Sequence, residues 1–384
     1  MKYKLLINLV DRANYGRLFP LILEGYQDER FEIYTCFSGT TLLEEYGIIV
    51  DKVSIDGIKV DYKVNTEVKS RNHSAMLDTI SNTINKMKKL YEKVNPDAIL
   101  LIGDRYEALG CAIAASYANR FLVHIQGGEQ SSSIDETTRH LITKMAHFHF
   151  PSTDKAAKII NLLGEYKENI VNSGCPVGDY ILSNNSNLDS LQEIIDENNK
   201  KISLDILKKG YLLICVHPIT TGIEDSKILI KNLLKVLENY QGTILWIRPN
   251  ADPGSNEILD SNREIKHIRF ITNIMPRDFQ SLLKNSQVAL GNSSSFVRDS
   301  SFSGTPVVLI GERQKNREVS KNVILVNSFD YESIKDAFDV QLKKGKYPSS
   351  RIYGNGKASK IILDSIANKL TNKINLQKQL SYKI

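Results

Sequence analysis

The feature that most constrains this chain is a pair of apolar runs that each end abruptly in polar residues. The run 97–102 (DAILLI) leads into Gly103-Asp104-Arg105, and the run 121–125 (FLVHI) leads into QGGE at 126–129. Short apolar runs bounded by glycine predict buried strands. Because open α/β sheets bind ligands beyond the carboxyl ends of their strands, the charged residues here are candidates for a site.

The same alternation of apolar runs and helical periodicity occurs in both halves of the chain. It predicts strands at 4–10, 31–37, 99–102, 122–125, 147–151, 211–216, 243–247, 288–290 and 306–310. It predicts helices at 16–24, 74–94, 108–118, 138–146, 155–163, 227–238, 278–284 and 357–370. Such alternation indicates an α/β fold with two Rossmann-like, doubly wound domains that face a cleft.

A stretch rich in Asn, Ser, Asp and Lys separates the two halves. We therefore expect one domain at 1–182, a linker region with a short helix at 183–205, and a second domain at 206–366. The tail, 367–384, is rich in Lys and Gln and is expected to fray.

Composition narrows the class of function. The net charge of the 384 residues is +6 and is spread along the chain, which favours small anionic ligands over nucleic acid. No apolar stretch is long enough to span a membrane, and the N-terminus predicts a first strand instead of a signal peptide. Four well-separated cysteines suggest a reduced, cytoplasmic protein. We expect no metal and no cofactor, because metal-ligand spacings, a P-loop and a GxGxxG motif are all missing from the sequence.

Several candidate residues lie in the first half. Arg12 follows the first strand in DRANYG, where a guanidinium beside free backbone amides suits a diphosphate. Asp104 and Arg105 end another strand, although a capping Asp beside an Arg is also a common surface arrangement. The following loop and helix contribute further polar residues, namely His124, Asp135, Glu136 and Arg139. His124 lies within an apolar run, so a core histidine is the alternative interpretation.

The second half offers a different set. His217 ends a strand in HPITTG and could donate to a phosphate. Ser293 and Ser294 belong to a small-residue turn, GNSSS, that enters a helix, and Asp299 follows where it could accept from sugar hydroxyls. Arg313, in GERQ, adds a cation to the same rim. The alternative for the serine turn is an ordinary N-capped loop.

In order along the chain, these motifs resemble a known family. The run GDRYEAL…HIQGGE…SIDETTRHLITKMAHFHF is similar to hydrolysing UDP-N-acetylglucosamine 2-epimerases of sialic acid biosynthesis, including the epimerase half of the bifunctional epimerase/kinase. The similarity continues through DRANYG, HPITT, PNADPGS, GNSSS, GERQ and KYPSSRIYGNG, to about residue 368. It implies a glycosyltransferase-B-like fold, a homodimer or homotetramer, and a last helix that packs back on the first domain.

The resemblance also implies a reaction. UDP would leave anti to the C2 proton to give a 2-acetamidoglucal, and water would then add to release N-acetylmannosamine. On this basis the first domain holds the sugar and the second binds UDP. Arg12, Arg105, His217 and Arg313 match diphosphate-side positions of the family. Ser293, Ser294 and Asp299 match its UDP-binding loop, and Asp104 and Asp135 match its catalytic carboxylates.

Four positions depart from the family pattern. Gln126 stands where some members have glutamate, so Glu129 or Glu136 could share the acid/base work. Thr41 replaces a histidine, Phe296 a glycine and Asp299 a glutamate. Together they suggest a modified sugar such as a diacetylbacillosamine derivative. The same motifs would also fit a non-hydrolysing 2-epimerase or a catalytically inactive UDP-sugar sensor.

Overall fold

Two parallel six-stranded sheets, each covered by helices, make up the protein. A computed structural model describes residues 2–44, 49–67, 72–132, 134–183, 188–191, 194–198, 200–218, 223–249, 268–272, 274–372 and 374–382. The predicted α/β fold with two doubly wound halves is confirmed. Parts of two sequence motifs, Thr220–Gly222 and most of PNADPGS (250–255), lie outside the described residues.

The first sheet is formed by the first half of the chain. Its strands are β1 (Tyr3–Leu9), β2 (Phe31–Ser38), β3 (Tyr62–Val64), β4 (Ala98–Ile102), β5 (Leu122–Ile125) and β6 (Phe148–Phe150). Its helices are α1 (Arg12–Gln27), α2 (His73–Val94), α3 (Tyr106–Tyr117), α4 (Ile134–Met145), α5 (Asp154–Leu162) and α6 (Val177–Ser183). The strand order is β3-β2-β1-β4-β5-β6, and all pairs are parallel.

The second sheet repeats this arrangement. Its strands are β7 (Tyr211–Cys215), β8 (Thr243–Ile247), β9 (Ile268–Ile271), β10 (Val288–Gly291), β11 (Val307–Ile310) and β12 (Val323–Val326). Its helices are α7 (Leu204–Lys208), α8 (Ile223–Leu237), α9 (Pro276–Asn285), α10 (Ser295–Ser303), α11 (Tyr331–Lys344) and α12 (Ala358–Leu370). The order β12-β11-β10-β7-β8-β9 is the same winding, again with parallel pairs.

Each sheet has a topological switch point at its centre. The first sheet is wound outward in both directions from the neighbouring strands β1 and β4, and the second from β7 and β10. The helices that follow such a strand pair lie on opposite faces of the sheet, so a crevice opens between the two strand ends. Of these central strands, β4, β7 and β10 are fully buried, as their apolar runs predicted.

Some elements were missed by the sequence analysis. The strands β3, β9 and β12 are short and include half-exposed residues, so they carry little apolar signal. Within the described part of 183–205 the chain forms a 3-10 turn at Leu188–Ser190, and Leu204 begins α7. α6 and α11 were also not predicted.

The end of the chain crosses back to the first half. α12 packs against α1, and Asp364 forms an ion pair with Arg30 at 2.6 Å. The expectation of a frayed tail is wrong for its described residues. Lys378 Nζ lies 2.7 Å from a Glu165 oxygen, and the Ser381 N–H donates to the Gly164 carbonyl.

Candidate active site

A pocket lies where the two switch points face each other. It is lined from the first half by residues that follow β1 and β4, and from the second half by residues that follow β7 and β10. The sequence-predicted site residues on its wall are Arg12, Asp104, Arg105, Asp135, His217, Ser293, Ser294, Asp299 and Arg313. The chain thus gathers charged and hydroxyl side chains from both sheets in one cleft.

Arg12 reaches across the cleft from the start of α1. Asp11 caps this helix by accepting from the Asn14 N–H at 2.6 Å. Arg12 donates to the carbonyls of Thr272 at 2.9 Å and Arg248 at 3.2 Å, beyond the ends of β9 and β8. Its guanidinium is therefore held within the pocket by the opposite domain.

Asp104 and Arg105 are each fixed by a buried partner. Arg139 donates to Asp104 through Nε at 3.0 Å. Burial alone would raise the pKa of Asp104, but the charges of Arg139, Arg317 and Arg298 hold it well below its usual range. Arg105 donates two hydrogen bonds to fully buried Glu107, at 3.0 and 3.1 Å. Asp104 is therefore ionised, and Arg105 has a fixed orientation.

Around the turn that follows β10, the wall of the second half is built from main chain, an amide and hydroxyls. Gly291 has φ +141°, and a Cβ there would lie 2.1 Å from the Cys215 carbonyl oxygen, so β7 and β10 can approach only with glycine. Asn292 then accepts from the His217 N–H at 2.7 Å and donates to the His217 carbonyl at 2.8 Å. This amide fixes His217 beside the serine turn.

The serine turn is also reached from the first half. Arg17, on α1, donates to Ser294 Oγ at 2.7 Å. Asp299 accepts from Gln280 at 2.8 Å, and burial raises the pKa of Asp299. Arg313 lies in the loop that follows β11, here called the rim loop, and is 3.6 Å from Asp135 in the first turn of α4. This contact joins the rim loop to α4.

The remaining predicted residues lie behind this wall. His124 is fully buried, contacts the Gly103 carbonyl at 2.8 Å and Thr143 at 3.1 Å, and burial lowers its pKa to about 3. Its surroundings are those of a neutral core histidine. Gln126 is also buried and donates to Cys175 Sγ at 2.8 Å.

Glu129, Glu136 and Arg139 support neighbouring groups. Glu129 is buried and forms an ion pair with Arg298, at 2.5 Å. Glu136 accepts from the Ser131 N–H at 2.5 Å, which holds the loop before α4. Two departures from the expected pattern also lie off the pocket wall. Thr41 donates to the Ser38 carbonyl, and Phe296 packs in the core.

Sequence reasoning missed Asn14, Arg17, Phe279 and Gln280 on the pocket wall. Arg17 lies five residues beyond Arg12, about 140° around α1, so helical spacing gave no signal for it. Gln280 and Phe279 come from α9, and only the tertiary fold shows that this helix borders the pocket.

Two negative findings concern the described residues alone. Among them, no group of three His, Cys, Asp or Glu side chains is placed to hold a metal ion. Within the same ranges, every helix is too short or too polar to cross a lipid bilayer.

Comparison with known proteins supplies the family. The model for UDP-N-acetylglucosamine 2-epimerase matches residues 24–367. The chain belongs to the UDP-N-acetylglucosamine 2-epimerase family. It is 32% identical over 351 residues to a UDP-N,N'-diacetylbacillosamine 2-epimerase (hydrolyzing) of Legionella pneumophila, covering 91% of each chain. It is 29% identical over 349 residues to a UDP-N-acetylglucosamine 2-epimerase of Neisseria meningitidis serogroup B, covering 90% of this chain and 89% of the relative.

The fold of this family extends to solved structures. A Methanocaldococcus jannaschii UDP-GlcNAc 2-epimerase, crystallised with UDP-GlcNAc and UDP, has a TM-score of 0.78 at 18% identity, over 96% of this chain and 100% of that one. The family match runs from within α1 to within α12, so it includes β4, β7 and β10 and the turns that follow them.

Proposed function

We propose that this epimerase-family enzyme hydrolyses a UDP-2-acetamido sugar with inversion at C2, releasing UDP and the free 2-epimeric sugar. The observation that carries the proposal is the shared pocket: two carboxylates, Asp104 and Asp135, lie in one cleft with cations and with a serine turn. This arrangement suits a reaction in which a diphosphate leaves one carbon while a proton leaves the next.

Departure of the diphosphate comes first. The C2 hydrogen of such a sugar is hardly acidic, so cleavage of the C1–O bond must run ahead of proton loss. Negative charge then grows on the leaving diphosphate, and fixed cations and donors stabilise it. Arg12, His217 and Arg313 with the hydroxyls of the serine turn would serve that end, and Asp299 would hold the ribose.

The carboxylates would serve the sugar. Because Asp104 is held ionised by Arg139, it stabilises positive charge that develops at C1 and the ring oxygen. Asp135, on α4 and paired across the cleft with Arg313, is the candidate for moving a proton at C2 or from water. A glucal intermediate would form, and water would add across its double bond.

The buried amide of Gln126 takes no part as a base in this scheme. Its nitrogen donates to Cys175, and its surroundings hold it away from the pocket wall. Glu129 and Glu136 are each engaged by other groups, so the proposal gives charge stabilisation to Asp104 and proton transfer to Asp135.

The choice between sugars rests on the relatives. The Legionella pneumophila relative favours a 2,4-diacetamido sugar, and the Neisseria meningitidis relative favours UDP-N-acetylglucosamine. We propose the diacetylbacillosamine type first, with N-acetylglucosamine as the second candidate. The product would be a precursor of a nonulosonic acid such as sialic acid. We also propose a cytoplasmic homodimer or homotetramer.

Incubation with each UDP-sugar in D2O, followed by NMR, tests the proposal. The expected result is UDP and a free 2-epimeric sugar with deuterium at C2. An epimerised sugar that stays attached to UDP would instead establish the non-hydrolysing reaction. Binding of UDP-sugar without turnover of either substrate would make the protein a sensor.

A further inference from the structure

Glu129, the last residue of the QGGE motif, lies between the two halves of the molecule. It is 5% exposed and is absent from the pocket wall. The two preceding glycines place it there. A Cβ at Gly127 would lie 2.7 Å from Thr143 Oγ1 on α4, and one at Gly128 would lie 2.2 Å from the Ala156 carbonyl oxygen on α5. Only glycines allow the loop to pack this tightly against both helices.

The carboxylate of Glu129 binds arginines of the opposite domain. Oε1 accepts from Arg298 Nε at 3.1 Å, and Oε2 lies 2.5 Å from Arg298 Nη2 and 3.2 Å from Arg317 Nε. Arg298 belongs to α10, the helix that begins at the serine turn and carries Asp299. The side chain of Glu129 therefore holds the helix of the proposed UDP site.

The main chain of Glu129 binds the proposed catalytic side. Its carbonyl accepts from Arg139 Nη1 at 2.6 Å, and Arg139 also donates to Asp104. One residue thus contacts both the arginine that orients Asp104 and the arginine of the serine-turn helix.

We propose that Glu129 is a positioning residue that ties the serine-turn helix to the Arg139–Asp104 pair across the cleft. The inference rests on the proposed function for the roles of the two sides it joins. Both carboxylate oxygens are already engaged by arginines, so neither is available to a sugar. Burial alone would raise the pKa of Glu129, but Arg298 and Arg317 outweigh it and hold this pKa at about 2. A carboxylate so strongly held is unsuited to exchanging protons.

The proposal predicts that UDP binding weakens when the contact between Glu129 and Arg298 is broken. Glu129→Gln and Arg298→Lys should each weaken UDP binding at least tenfold in isothermal titration calorimetry. The double variant Glu129→Gln/Arg298→Lys should be no weaker than the worse single variant, because both changes break one linkage. Glu312→Gln is the matched control, since its carboxylate is exposed in the same rim loop and pairs with Lys315. It should bind UDP like the parent.

A catalytic role for Glu129, without a positioning role, predicts different results. UDP affinity within twofold of the parent in both single variants would overturn the proposal, as would loss of one limb of the kcat pH profile in Glu129→Gln with unchanged UDP affinity. If Glu129→Gln does not fold, as shown by near-UV circular dichroism, Arg298→Lys alone decides. The titration needs no turnover, so a parent that binds UDP without releasing sugar would refute the proposed function and leave this test intact.

Discussion

The two switch points share a backbone plan and differ in chemistry. β4 ends in Gly103-Asp-Arg-Tyr-Glu107, and β10 ends in Gly291-Asn-Ser-Ser-Ser295. Both turns begin with a glycine at positive φ, +78° and +141°. Of the four positions after the glycine, three carry ionisable Asp, Arg and Glu in the first turn, whereas the second turn has one Asn and three Ser.

This difference shows how one fold supports two tasks. Asp104 can only accept when ionised, so it needs Arg139 as a buried counter-charge. Asn292 both donates and accepts, so it fixes the main chain of His217 without any charge. The neutral turn adds no negative charge of its own to the proposed leaving-group side, while the charged turn places the Asp104 carboxylate on the proposed sugar side. The fold sets the location of the cleft, and these side chains set its chemistry.

Replacing Asp104 by asparagine, the residue at the equivalent position of the second turn, should have the largest effect on turnover. Asp104→Asn removes the ionised carboxylate from the cleft, and we expect turnover to fall about 10³-fold, within the range for loss of a catalytic group. UDP affinity should stay within about tenfold, because the anion contacts remain. Asp97→Asn, an exposed carboxylate just before the other end of β4, is the control. Turnover equal to the parent in Asp104→Asn would remove Asp104 from the mechanism.

The reverse exchange tests the neutral turn. Asn292→Asp loses the hydrogen bond to the His217 carbonyl and buries a negative charge beside the proposed diphosphate site. We expect a loss of about 1–3 kcal/mol in the free energy of unfolding, from urea titration, and UDP binding weaker by roughly tenfold. Asn239→Asp, exposed after α8, should change neither. An unaltered affinity for UDP in Asn292→Asp would show that the absence of charge in this turn is unimportant.

Glu107 gives the charged turn a pH dependence that Ser295, its counterpart, cannot have. Burial raises the pKa of Glu107 to about 8 despite the opposing charge of Arg105. In the unfolded chain a glutamate titrates near 4.3, so between these values the folded protein holds the extra proton. Stability from this group is therefore full below the unfolded pKa and is lost as the pH rises toward 8.

The comparison of Glu107→Gln with the parent measures this effect. Relative to the parent, the variant should gain about 3–4 kcal/mol in free energy of unfolding between pH 5 and pH 8, since Glu107 holds its extra proton over most of this interval and each pH unit corresponds to about 1.36 kcal/mol. Urea unfolding at pH 5, 6.5 and 8 provides the measurement, with exposed Glu92→Gln on α2 as the control. Parallel pH curves for Glu107→Gln and the parent would contradict the prediction.

The sequence predicts the features of these turns that depend on neighbouring residues in the chain, and it does not predict those that depend on tertiary packing. The central strands β4, β7 and β10 are fully buried, so their apolar runs predicted them to within a residue or two. The edge strand β12 is only partly covered, and its four residues lack that signal. Residues that directly end a central strand were predicted at the cleft and lie there, Asp104 and Ser293 among them.

The sequence analysis could not predict contacts that depend on tertiary packing. Nothing in HIQGGE indicates that Gln126 is buried with φ +62°, or that Glu129 pairs with Arg298, 169 positions later in the chain. His124 shows the same limit. Its residue type suits catalysis, but only the fold reveals that it is buried between the Gly103 carbonyl and Thr143.

The smallest expected effect comes from one hydroxyl of the neutral turn. Ser294→Ala removes one hydroxyl from the proposed diphosphate site and also removes the acceptor of Arg17. Because Arg17 is then able to bind the diphosphate itself, the loss should be small. We expect UDP affinity to fall by about 1 kcal/mol, or roughly fivefold. Ser303→Ala, at the far end of α10, should leave the affinity unchanged. Calorimetric titration with UDP resolves a difference of this size. Because the neutral turn distributes its work over several weak donors, a loss in Ser294→Ala as large as that in Asn292→Asp would mean that Ser294 carries the site, and the contrast between the two turns would then have to be redrawn.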